Sequence, residues 1–259
     1  MTAPPPPTGY LPVARWRYWD VLIVFFSGAF ASVFVVAAVV AMGVDPFAPV
    51  PFSAIFGAQA LASFMMVWWL SRTRGSGSLA ADVGLIVRAS EWWGVFAGMG
   101  LQLLIALITA PFIVWLWPDG PPSQGVGDIA ASAEALGEQL AILLSVAVAA
   151  PIIEEIIFRG MLLSILRRSM SAWPAALVSA GVFAGVHLFD RDAIAVVPGL
   201  FILGVVLARV TLKRGDLSLA IALHSGINLL AAVSLLYGNA ILEWAEIQLE
   251  QIEAVIRFF

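Results

Sequence analysis

Apolar positions run through this chain in long blocks, with most charges collected between the blocks rather than alternating inside them. That pattern predicts lipid-buried helices, because about 20 apolar residues at about 1.5 Å each cross a hydrocarbon core of about 30 Å. Residues 21–44 form the first block, preceded by Arg15, Trp16, Arg17, Tyr18 and Trp19, a basic and aromatic cluster suited to the headgroup level. The block exceeds the roughly 7 to 15 apolar residues of a signal peptide and is expected to remain as an uncleaved first span. Further spans are expected over 52–70, 93–117, 140–166, 173–189, 193–212 and 217–236. Gly181 and Gly185 in the fifth are expected to form a small-residue stripe that lets another helix approach closely.

The segments between the blocks carry their own signals. Residues 1–14, with Pro4 to Pro7, predict an extended tail. Asp82, Arg88 and Glu91 among apolar residues predict that 79–92 is a helix lying in the interface. Pro118, Pro121 and Pro122 predict a solvent-exposed loop over 118–138. Residues 243–259 set Trp244, Ile247, Leu249 and Ile252 against Glu246, Glu250 and Glu253, the pattern of an amphipathic surface helix. The expected fold is all-α: a polytopic membrane helix bundle of about seven transmembrane helices with interfacial helices.

Composition sharpens this picture. Of 259 residues, 61% are hydrophobic and 12% charged, so a water-soluble globule is excluded. A net charge of −4 without clustered Lys and Arg argues against nucleic acid, and leaves membrane lipid as the expected surroundings. The absence of cysteine excludes disulfides, thiolate metal sites and a cysteine nucleophile. With the N-terminus inside, eleven of the 13 basic residues fall on or toward the inner side, only Arg191 and Arg257 lying outside; the expected orientation is therefore N-terminus inside and C-terminus outside.

Ionisable groups within spans point to chemistry, since each charge at a helix centre costs roughly 2.5 to 3.5 kcal/mol on insertion scales. Glu154, Glu155 and Arg159 interrupt the fourth block, which stays apolar to Leu166 before Arg167 and Arg168 close it. Glu155 and Arg159 stand at i, i+4 with the acid first and are expected to pair. Glu154 is rotated by about 100° from Glu155 and points elsewhere. A carboxylate in low dielectric without its own cation is a candidate general base near neutral pH. Both histidines also fall in spans: His187 one turn after Phe183, and His224 one turn before Asn228. Counted from the inner boundaries at about 1.5 Å per residue, Glu154, His187, His224 and Asn228 fall in one layer and are expected to line one cavity.

Glu-Glu-x-x-x-Arg at 154–159, Phe-x-x-x-His ending at His187 and His-x-x-x-Asn at 224–228 together resemble the CPBP, or Abi, family of intramembrane proteases, relatives of the eukaryotic CAAX prenyl endopeptidase. The resemblance covers about residues 138 to 236. It implies peptide-bond hydrolysis with Glu154 activating water, His187 assisting, His224 and Asn228 stabilising the oxyanion, and Glu155 and Arg159 beside them. It divides the chain into an anchor over 1–20, N-terminal helices over 21–136, a catalytic core over 137–236 and a C-terminal helix over 237–259. No cofactor is certain. The family is described both as metalloproteases and as using water activated directly by glutamate; a divalent zinc, if bound, would take Glu154, His187 and His224. The expected partner is a peptide or membrane-protein substrate, and the expected location is a bacterial cytoplasmic membrane. Two other readings use the same residues: a proton-coupled transporter with a Glu/His relay, and a catalytically silent membrane scaffold.

Overall fold

The structure, a computed structural model, describes residues 14–120, 122, 125–189 and 191–258, with side chains described as far as Gly238 except at Arg191 and Asp192. The expected tail over 1–14 lies outside the described residues apart from Ala14. Nine α-helices make up the described chain: α1 (Tyr18–Ala41), α2 (Pro49–Arg74), α3 (Leu79–Val83), α4 (Trp93–Leu116), α5 (Gly125–Ala131), α6 (Leu136–Leu166), α7 (Ala172–Val186), α8 (Val197–Arg214) and α9 (Ser218–Phe258), and no strand occurs among the described residues.

Six helices are long and apolar enough to cross a membrane: α1, α2, α4 with the turn before it, α6, α7 with the turn after it, and the first half of α9. The 18-residue α8 is the seventh long helix, and its last two turns carry Arg209, Lys213 and Arg214. Phe26, Phe30, Phe34, Leu103, Leu107 and Trp115 are exposed on the outside of the bundle, a surface that suits lipid and would aggregate in water. The all-α bundle therefore has the expected architecture.

Helices pack as the pairs α1/α2, α4/α9 and α7/α8, with α6 among them. From Glu155 to Leu166 every residue of α6 is buried, which makes this the central rod. It is not a regular helix. Two stretches, Ser145–Ala149 and Ile156–Leu162, wind in wider turns with hydrogen bonds reaching five residues back. Pro151 explains the first, because its ring has no N–H to offer and crowds the carbonyl four residues before it.

Glycine sets the close contacts, though not where the sequence suggested. A side-chain carbon on Gly181 or Gly185 would meet nothing within 4 Å, so the expected stripe faces open space. The seams lie elsewhere. On Gly98 such a carbon would fall 2.1 Å from the Leu223 carbonyl oxygen, on Gly226 1.9 Å from that of Val95, and on Gly204 2.9 Å from Ala180. Backbone thus lies against backbone between α4 and α9 and between α7 and α8.

Three expectations for the connecting segments are corrected. Residues 79–92 are not one interfacial helix. The five-residue α3 stops at Gly84 with φ +73°, and a single 3₁₀ turn at Ala89–Glu91 follows. The acids of this segment turn inward to partners: Ser71 donates to Asp82 at 2.5 Å, and Arg214 pairs with Glu91. Residues 118–138 are not wholly loop, because α5 buries Ile129 and Ala130 against Phe52 and Leu236. The C-terminal helix is no separate element, since α9 runs without a break to Phe258; the expected apolar face over 243–259 lies outside the described side chains.

One end of the bundle is tied by polar bonds. Arg74 pairs with Asp20, Arg88 with Asp216 at 2.6 Å, and Arg214 with Glu91, each acid being buried. The Trp16 indole donates to the Asp82 carbonyl at 2.8 Å, and Arg168 donates to the Trp16 carbonyl.

Candidate active site

Wide-turn winding in α6 frees a backbone acceptor. The Ala150 N–H reaches back to the Ser145 carbonyl, so the Val146 carbonyl loses its usual α-helical donor, and the residue five positions on is Pro151, which has none. Asn228 fills the gap, its Nδ2 donating to Val146 O at 2.9 Å. One proline thereby couples α6 to α9 beside the site.

Glu155 and Arg159 pair at 3.0 Å, both fully buried, as the i, i+4 spacing predicted. Arg159 continues to α8, its Nη2 donating to Gly204 O at 3.3 Å. The Phe183 ring takes the guanidinium on its face at 4.5 Å and meets the His187 and His224 rings edge-on at 5.1 and 5.8 Å. One buried phenyl ring thus spaces the cation and both imidazoles.

His224 stands between the two acids. Its Nδ1 lies 2.9 Å from Glu155 Oε1, and its Nε2 lies 3.6 Å from Glu154 Oε2. Glu155 therefore serves both Arg159 and His224, a second duty that helical phase alone did not reveal. The 3.6 Å gap is longer than a hydrogen bond and leaves both atoms within reach of one water. His187 sits where α7 ends and a 3₁₀ turn, His187–Phe189, begins. Its Nδ1 lies 2.8 Å from the Phe183 carbonyl oxygen, an acceptor only, so Nδ1 carries a proton and donates it there, and Nε2 is left without a partner in that bond.

Glu154, 23% exposed, is the acid that reaches open space. A cavity of about 240 Å³ lies before it, lined also by His187, Phe158, Phe25, Phe189, Gln59 and Ser63. Glu154 and His187 thus share one cavity, whereas His224 is buried behind Glu154 and Asn228 is bonded to Val146; neither of the latter lines that cavity among its described walls. The front wall comes from α1 and α2, which carry none of the three motifs. Gln59 is the residue there that motif reasoning missed, and the signal was the one carboxamide in a largely apolar span.

For zinc, the donor set Glu154, His187 and His224 is a poor fit as placed, because among the described residues no three His, Asp or Glu side chains gather as a ligand group.

Neither a curated protein nor a solved structure matches the chain. A family model does: residues 136–230 match that of the type II CAAX prenyl endopeptidase Rce1-like proteins. The match begins with α6 and ends just past Asn228, enclosing Glu154, Glu155, Arg159, His187, His224 and Asn228. Together with the apolar helices this makes the chain an integral membrane protein whose helices α6 to α9 carry a domain of the type II CAAX prenyl endopeptidase Rce1-like family.

Proposed function

We propose that the protein is an intramembrane endopeptidase in which Glu154 activates water for attack on a peptide carbonyl. The observation that supports this best is the partition of the two adjacent acids. Glu155 is committed to Arg159 and His224, while Glu154 opens on a cavity shared with His187. A base must reach water, and its neighbour must not.

In this reading a water held between Glu154 and His224 gives its proton to the Glu154 carboxylate as its oxygen bonds to the carbonyl carbon. The carbonyl electron pair moves to oxygen. His224, protonated in turn on Nε2, donates to that oxyanion while Glu155 balances the imidazolium, and Asn228 has a second N–H beyond the one bound to Val146. The proton that passed from Glu154 to His224 then moves, with His187 Nε2 assisting, to the departing amine as the oxyanion pair re-forms the C=O bond and the C–N bond breaks. Every proton step uses this chain's own side chains.

The substrate class is a peptide or a membrane-protein segment entering from lipid. Peptide mass spectrometry of membranes carrying wild type or Glu154→Gln, with and without chelator, tests the reading. Products are expected to accumulate with wild type and to vanish with Glu154→Gln, and loss on chelation would show that a metal takes part. Products that persist with Glu154→Gln would end the assignment.

A further inference from the structure

We propose that the carboxamide of Gln59, on α2, donates to the carbonyl oxygen of the peptide bond being cut, so that the N-terminal helices complete a site otherwise held by α6, α7 and α9. This rests on the peptidase reading above. Hydrolysis requires N–H or O–H donors aimed at the oxygen that becomes negative. The described lining of the Glu154 cavity has few of them. His187 spends its Nδ1 proton on the Phe183 carbonyl, and Ser63 donates to Val24 O at 3.3 Å. Behind the cavity, His224 and Asn228 each have one donor engaged, on Glu155 and Val146, and keep one for the oxyanion, to which Gln59 adds a donor from α2. Gln59 alone among the described cavity-lining side chains presents N–H groups with no partner among the described residues.

Its stem is also held in place. Gly28 of α1 lies so close that a side-chain carbon there would fall 3.1 Å from Gln59 Cγ and 2.9 Å from Gln59 O. The seam continues at the Ser63 bond to Val24. A carboxamide fixed at its base and unpaired at its tip is set up to bind a carbonyl. A carboxamide with that tip in an apolar span would otherwise be an uncompensated expense.

The test uses the full chain in liposomes with a library of fluorophore-quencher peptides bearing apolar segments, with and without a farnesyl group. Gln59→Met keeps the length of the side chain and removes the donors; Gln59→Glu, assayed at a pH high enough to ionise its carboxyl, keeps its shape and removes them too. Both are expected to cut the peptides that wild type cuts, at the same bonds, with kcat lower by on the order of 10²-fold and KM within a few-fold. Wild-type kcat in either folded variant overturns the proposal, and if Gln59→Met melts early, Gln59→Glu decides. Glu154→Gln separates the two claims. Peptides that Gln59→Met cuts with the kcat of wild type, and that Glu154→Gln does not cut, remove the Gln59 assignment alone. Peptides that Glu154→Gln still cuts, or a library that wild type leaves intact, remove the peptidase reading and this assignment with it.

Discussion

Arg159 carries more at the residue scale than its sequence position suggests. It is wholly buried between Glu155, the Gly204 carbonyl and the Phe183 ring, so it neutralises the site and spaces it at once. Removing one partner of a buried pair leaves an uncompensated charge, which costs about 3 to 5 kcal/mol. Arg159→Met is therefore expected to lower thermal stability by that amount in a detergent melt. Arg159→Lys should recover only part of it, because an ammonium cannot both reach α8 and lie flat on a ring. Equal melting curves for wild type and Arg159→Met would show that the pair is structurally idle.

At the element scale, the position of His224 depends on how closely α4 and α9 approach. Gly226, two residues after His224, has no room for a side-chain carbon beside Val95 O, and Gly98 has none beside Leu223 O. Gly226→Val or Gly98→Val must push the helices apart, at about 1 to 3 kcal/mol or more. Each is expected to abolish cleavage before it abolishes insertion, since a displacement near 1 Å at a reacting group costs about 10²-fold in rate. Gly185→Ala, on a glycine that faces open space, should be silent in the same cleavage assay.

For the molecule as a whole, arginine bonds tie α1, α2, the α3 segment, the end of α6, α8 and the turn between α8 and α9 together at one end. By the positive-inside rule we expect that end to face the cytoplasm. The chain has no cysteine, so single-cysteine variants report without background. A thiol placed at Ser76 is expected to be shielded from an impermeant maleimide in intact cells, and one at Asp119 to be labelled. The reverse labelling would invert the orientation.

Much of this was legible in the sequence because the bilayer imposes it. Span length follows from hydrocarbon thickness, and the Glu155–Arg159 pair and the separate direction of Glu154 follow from helical phase, both local properties of the chain. Regular phase could not announce the wide turns of α6, although Pro151 stood in the text, because the widened turn and its freed carbonyl become useful only when Asn228 arrives from α9. Nor could charge count show that Asp82 and Glu91 face inward, since an acid is solvated or buried according to whether a distant arginine or serine meets it. Gly181 and Gly185 had the right spacing and no neighbour, while Gly98 and Gly226 had backbone against them. Local periodicity determined which residues are helical, which are apolar and which carry chemistry. Only tertiary packing decided which of them touch, because contact between helices depends on side chains far apart in the chain.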